Sequence, residues 1–170
     1  MSHDSAWLAG LWDGEGSVGV TNSRSTGRLV YIPTIQINMT HQATVQRAAD
    51  ILYTRLGCVI RLHEVRPHDM TMHKVSYYFA VRRTVWLAGI AADLATHSTT
   101  KRKHWELLAE LCHERLTRCG KTADGGLFRG GAADTRAPYS QREHDLVAEL
   151  REANAYANNR SRTRMEAGAA

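Results

Sequence analysis

The stretch LAGLWDGEG, residues 8–16, decides how the rest of the chain is to be read. A glycine inside a helix costs roughly 1 kcal/mol relative to alanine, so Gly10 and Gly14 need a reason to be there. Ala6, Gly10 and Gly14 recur every four residues. At helical pitch they form one smooth stripe, along which a second helix backbone can approach closely. Leu8, Leu11 and Trp12 turn the other way, toward the chain's own core. The stretch predicts a first helix over residues 5–14, with Asp4 or Ser5 available as N-cap.

After Gly16 the period of the sequence changes. Val18 and Val20 alternate with Ser17, Gly19 and Thr21, the pattern of a half-buried strand. Between residues 29 and 40 Ile35, Ile37 and Met39 alternate with Thr34, Gln36 and Asn38, so the two runs predict a hairpin closed by NSRSTGR. Val45, Ala48, Ala49, Leu52 and Leu56, stopped by Gly57, predict the second helix. CVIRLHEV and KVSYYFAV predict a second hairpin with its loop through Pro67. Thr84 can cap a helix carrying Val85, Leu87 and Ile90, and another helix is expected from about Thr100 to Leu116. Residues 120–139 are Gly-rich and predict a flexible connector. Ser140 and Glu143 have the spacing of a capping box. They open a last helix over 140–157, and residues 158–170 read as a polar tail. The fold class is therefore α+β, with a four-stranded antiparallel sheet and C-terminal helices added to a core of residues 1–119.

A chain of 170 residues that is 43% hydrophobic suffices for one real core. Its apolar runs are too short for a bilayer span, and MSHDSAW lacks the basic and apolar regions of a signal peptide. A cytoplasmic or organellar protein, not a secreted one, is expected. Cys58, Cys112 and Cys119 are odd in number and show no CxxC pair, so reduced thiols are expected. His68 and His73 flank a loop beside Pro67 and read as solvated residues, not metal ligands. The net charge of +5 and pI near 9.4 favour a polyanionic partner.

Leu8 to Gly16 resembles the signature helix of the LAGLIDADG homing endonucleases at all but its fifth and seventh positions. The order of elements over residues 5–118 also resembles that family's αββαββα core, while the tail beyond residue 120 lies outside the resemblance. A single motif copy implies a homodimer whose signature helices, through Ala6, Gly10 and Gly14, meet on a twofold axis. The resemblance places the metal-binding acid at Glu15, next to Gly14, with Mg²⁺ as the cation and Mn²⁺ as a substitute. Two such carboxylates across a dyad repel unless cations lie between them. Asp13 falls at a position that is more often structural. The family's supporting polar and basic residues fall on His41 and Lys101, with Arg102 and Lys103 as neighbours in register. His41 then orders or deprotonates water and Lys101 stabilises phosphate charge; alternatively His41 only caps the second helix and Lys101 is a solvated helix start.

The strand positions opposite the apolar stripe carry Ser17, Thr21, Ser23, Arg28, Thr34, Gln36, Asn38, Arg61, His63, Lys74, Ser76, Tyr78 and Arg82. These types suit base edges and phosphates, and a twisted antiparallel sheet fits the major groove of double-stranded DNA. The resemblance implies a site-specific endonuclease that cuts both strands of a long pseudo-palindromic site and leaves short 3′ overhangs. Its rivals are an RNA-binding intron maturase and a non-cleaving DNA-binding regulator of the same fold. Glu15 argues against both, because a protein that only binds has no use for an acid aimed at phosphates. An intein is not expected from the residues at the two ends, which leaves an intron-encoded or freestanding enzyme.

Overall fold

A computed structural model describes residues 3–25, 28–66, 74–118 and 138–167. Its elements run α1 (His3–Glu15), β1 (Gly16–Ser25), β2 (Arg28–Met39), α2 (Gln42–Leu56), β3 (His63–Val65), β4 (Ser76–Val81), α3 (Thr84–His97), α4 (Arg102–Arg118) and α5 (Gln141–Ala167). The architecture is the expected α+β one. The strands form one antiparallel sheet in the order β1-β2-β4-β3. Most of the connector at 120–139, the loop with His68 and His73, and Cys119 lie outside the described residues. Cys58 and Cys112 are buried. Among the described residues no helix is long and apolar enough to cross a membrane.

Register explains which side chains make the core. Val18 pairs with Ile35 and Ile35 with Val81, while Gly16 pairs with Ile37 and Ile37 with Phe79. These side chains line the face covered by the helices. There they meet Leu8, Ala9 and Trp12 of α1, Val45, Ala48 and Leu52 of α2, Leu87, Ile90 and Leu94 of α3, and Trp105 and Leu108 of α4. Trp12 is fully buried and stands edge-on to Phe79 and to Trp105. Gly57 closes α2 in the left-handed region at φ 63°, its N–H bonded to the Tyr53 carbonyl, as its place in the sequence predicts.

α5 builds a second, smaller core. Leu146, Val147 and Leu150 pack with Leu107 and Leu111 of α4 and Tyr31 of β2. The capping box forms: the Ser140 amide donates to Glu143 Oε2 at 2.9 Å and the Glu143 amide donates to Ser140 Oγ at 3.1 Å. Glu143 is also fully buried between two guanidinium groups, accepting from Arg115 Nε at 3.1 Å and from Arg118 Nε at 2.5 Å.

Four expectations need correction. α1 starts at His3, and Ser5 is no cap, because its hydroxyl faces inward and donates to Asp93 Oδ2 at 2.7 Å. Thr84 is the first residue of α3 and not its cap; Arg83 holds that position, with no side-chain cap bond. The second hairpin is shorter than its alternation suggests, since Ile60 and Leu62 pack against the core but precede the ladder, which starts at His63. Alternation reports which side chains turn inward, not which backbones pair. Finally, α5 runs to Ala167, well beyond residue 157, because no proline or glycine interrupts it before Gly168.

Candidate functional site

The site is built where α1 turns into β1. Gly16 is required there by space: a Cβ would lie 2.3 Å from Trp12 Cδ1 and 2.6 Å from Cγ. The chain leaves the helix directly over the buried indole, so Glu15, one residue earlier, is left at the exposed helix end. Glu15 forms no hydrogen bond or ion pair among the described residues. Asp13, two residues away, is its opposite. Its carboxylate accepts from Ser98 Oγ at 2.5 Å, from the Thr99, Thr100 and Lys101 amides at 2.6, 3.2 and 3.0 Å, and from Thr99 Oγ1 at 3.0 Å. Burial alone would raise its pKa, but the Ser98 hydroxyl and the Thr99 and Thr100 donors hold it well below the ordinary 3.8. Asp13 thus ties down the Ser98–Lys101 turn that leads into α4, a negative charge near the positive end of that helix dipole.

Lys101 makes the return contact. Its Nζ donates to the carbonyl oxygens of Trp12, Asp13 and Gly16 at 2.5, 3.1 and 2.7 Å. The carbonyls of Trp12 and Asp13 belong to the last turn of α1, groups that a helix leaves without intrahelical partners, and that of Gly16 opens β1. Burial lowers the Lys101 pKa, and the charges of Asp13 and Glu15 oppose that shift. Of the neighbouring basic residues, Arg102 donates to the Ser98 carbonyl at 3.4 Å, and Arg102 and Lys103 are both exposed. His41 occupies the N-cap position of α2, and its Nδ1 pairs with Thr44 Oγ1 at 2.7 Å. Pairing of Gly16 with Ile37 places the end of β2, and His41 beyond it, at the same end of the sheet as Glu15. Among the described residues no hydrogen bond joins His41 to Glu15 or Lys101.

The stripe on α1 is open. Ala6, Gly10 and Gly14 are exposed, and a Cβ added at Gly10 or Gly14 would meet nothing within 4 Å. Beside the stripe Trp7 carries the guanidinium of Arg47, 4.4 Å from its ring centroid.

The polar strand residues share one face. Ser17 pairs with Gln36, Thr21 with Ile32, Ser23 with Val30 and Ser25 with Arg28, while Asn38 pairs with Tyr78 and Tyr78 with His63. By the two-residue period all these positions, with Ser76, lie opposite the core face. Ser17, Thr21, Ser23, Gln36, Asn38 and His63 are exposed. His63 and Tyr78 stack, with ring centroids 5.0 Å apart. Arg61, Lys74 and Arg82 are exposed too, but lie just outside the strands. Thr34 is the exception. It is only 4% exposed, and its hydroxyl donates to the Ile32 carbonyl at 3.0 Å and meets Thr21 Oγ1 at 3.3 Å, so this position serves the sheet itself.

The Ser98–Thr100 turn is a partner of α1 that the periodicity of the sequence does not reveal. The signal was present: three hydroxyl residues in a row before a helix are donors and caps in search of an acceptor.

No protein-family model matches the chain, and no curated protein matches it. Solved structures do. The archaeal intron-encoded homing endonuclease I-Vdi141I, complexed with DNA, superposes with a TM-score of 0.57 at 15% identity, covering 88% of this chain and 82% of that one. The LAGLIDADG homing endonuclease I-GzeII, in complex with its DNA target, gives 0.54 at 12% identity over 88% of this chain but only 43% of its own. The homing endonuclease I-TnaI gives 0.50 at 20% identity, covering 88% and 99%. The fold of this chain is the LAGLIDADG homing endonuclease fold, as the motif's resemblance implies.

Proposed function

We propose that the chain is a site-specific, divalent-metal-dependent DNA endonuclease that works as a homodimer and cuts both strands of a pseudo-palindromic duplex. The observation that carries this reading is the contrast between two neighbouring acids. Asp13 is fully engaged with five donors, whereas Glu15 stands exposed at the same helix end with no hydrogen bond or ion pair among the described residues. An exposed carboxylate held by rigid neighbours is a hard oxygen donor, which fits Mg²⁺ or Mn²⁺. Among the described residues no three acidic, histidine or cysteine side chains converge, so the described residues of one copy offer an incomplete set of ligands. A second copy docked on the Ala6, Gly10 and Gly14 stripe would bring its own Glu15 to the first.

The chain's own residues divide the work. Glu15, with the Gly14 carbonyl beside it, would hold the cation; bound there, the cation supplies Lewis-acid neutralisation of charge on the phosphodiester. The outer face of the sheet holds the duplex, with Gln36 and Asn38 toward base edges and Arg61, Lys74 and Arg82 toward base edges or phosphates. His41, at the same end of the sheet, is the candidate to orient or deprotonate water. The two cuts, one for each copy, would leave short 3′ overhangs.

The test is selection of cleaved sites from a randomised duplex library with Mg²⁺, followed by Glu15→Gln on the selected site. Glu15→Gln should keep specific binding, in Ca²⁺ as well as Mg²⁺, and lose cleavage of both strands. Wild-type protein that binds a selected duplex but never cuts it in Mg²⁺ or Mn²⁺ would leave a binding protein of the same fold. Cleavage by Glu15→Gln at the wild-type rate would end the assignment of Glu15.

A further inference from the structure

The Lys101 ammonium has three N–H donors and three carbonyl acceptors, those of Trp12, Asp13 and Gly16. All its donors are taken. The Asp13 carboxylate in turn accepts the amides of Thr99, Thr100 and Lys101 itself. The turn into α4 and the end of α1 therefore hold each other. The anchored residues, 12, 13 and 16, bracket the two exposed ones, Gly14 and Glu15. We propose that Lys101 and Asp13 are positioning residues, a reciprocal clasp between α1 and α4 that sets where the Glu15 carboxylate stands, and that Lys101 does not touch the phosphate.

The proposal rests on Glu15 being the metal-binding acid, and it differs from the role the family resemblance implies for Lys101. A lysine that binds phosphate needs a free N–H and is replaceable by arginine, which binds phosphate at least as well. A lysine that points three N–H bonds at three carbonyls from a single nitrogen is not replaceable in this way. The planar guanidinium fork spreads its donors over three nitrogens and cannot converge on the same three acceptors. Arg102 and Lys103 are exposed at the same helix start and provide a phosphate with cations without breaking the clasp.

The test compares Lys101→Met and Lys101→Arg with wild-type full-length protein on the selected duplex. Both variants should show faster amide hydrogen exchange at residues 14–16. Both should keep metal-free DNA affinity and its dependence on salt, and lose about 10²-fold in single-turnover cleavage, the scale of a catalytic group displaced by about 1 Å. Should Lys101→Met fail to fold, Lys101→Arg, which keeps charge and stem, carries the same comparison. A phosphate contact would instead lower the slope of log affinity against log salt in Lys101→Met by about 0.9 per contact, about 1.8 for two copies. With that loss, and slope and cleavage restored by Lys101→Arg, the proposal falls. Unchanged exchange at residues 14–16 overturns the clasp outright. Variants that cut as fast as wild type overturn the positioning role alone, whereas wild type that never cuts overturns the Glu15 assignment on which the role depends.

Discussion

Gly10→Ala should act with opposite signs on the single chain and on its dimer. Gly10 lies mid-way along α1, a 13-residue helix, and an added Cβ there would meet no atom within 4 Å. In the isolated chain the substitution therefore brings only its helix-propensity gain, about 1 kcal/mol. If two copies pack α1 against α1 along Ala6, Gly10 and Gly14, each dimer receives two methyl groups at the closest approach of the backbones. Overpacking costs about 1–3 kcal/mol per site, so dimer association weakens by about 2–6 kcal/mol. At about 1.4 kcal/mol per tenfold, even the lower limit is about a thirtyfold weaker dimer. Chemical denaturation of dilute protein reads the first effect, and sedimentation across a concentration series, with and without DNA, reads the second. Gly10→Ala that gains stability while sedimenting as wild type does would show that copies do not meet on this stripe. A wild-type monomer under all these conditions would refute the homodimer itself.

Gly16→Ala should destabilise the chain by about 3 kcal/mol or more, at or above the usual range for overpacking, because the methyl group would overlap an indole that is fully buried between Phe79 and Trp105; urea denaturation measures it. Glu143→Gln removes the negative charge from between two guanidinium groups, one of them 2% exposed, and should lower stability by about 3–5 kcal/mol. Burial favours the protonated form of Glu143, but the Arg118, Ser140 and Arg115 donors prevail and hold its pKa below 4.5. A depressed carboxylate binds fewer protons folded than unfolded, so its stabilisation is complete above that pH and fades as pH falls toward the folded value. Urea midpoints of Glu143→Gln should lack this acid slope. Gln36→Ala and Asn38→Ala should each cost about 1–3 kcal/mol in affinity and relax preference at one position per half-site, while Thr34→Val, on the same strand but buried, should alter stability and leave preference intact; binding to a panel of single-base variants checks this.

Much of this was legible because the pattern of each element agreed with its neighbours. The alternation of Val18, Ile35 and Ile37 named the buried face, Gly57 the end of α2, and Ser140 with Glu143 the start of α5. Long-range polar contacts escaped the sequence for a physical reason. Asp13 meets Ser98, Thr99 and Thr100 across more than eighty residues, and nothing in local period reports a partner so far away. Glu143 shows the same limit: its spacing from Ser140 reveals the cap, but not the two arginines of α4 that share its carboxylate. Thr34 lies on the predicted face but is buried there, because a two-residue period gives the face of a side chain and not its depth; the hydroxyl turns back to its own strand.

The second core explains why the chain continues past the αββαββα order. β4 pairs with β2 only from Ile35 to Met39, so among the described residues, residues 28–34 of β2 have β1 as their one strand partner. A lone two-stranded ribbon is marginal in water, yet this ribbon carries Thr21 and Ser23 on the face proposed to read DNA, and readout needs side chains held in place. α5 supplies the missing support on the opposite face. Leu146, Val147 and Leu150 bury Tyr31, Arg151 Nη2 donates to Asn22 Oδ1 at 2.5 Å, and Asn154 Nδ2 donates to the Val18 carbonyl at 3.2 Å on the free edge of β1. Arg115 completes the link by donating to the Tyr31 carbonyl at 2.7 Å while paired with Glu143. The capping acid that starts α5 thus also orients the arginine that grips the ribbon, so docking of the helix and rigidity of the ribbon depend on the same carboxylate.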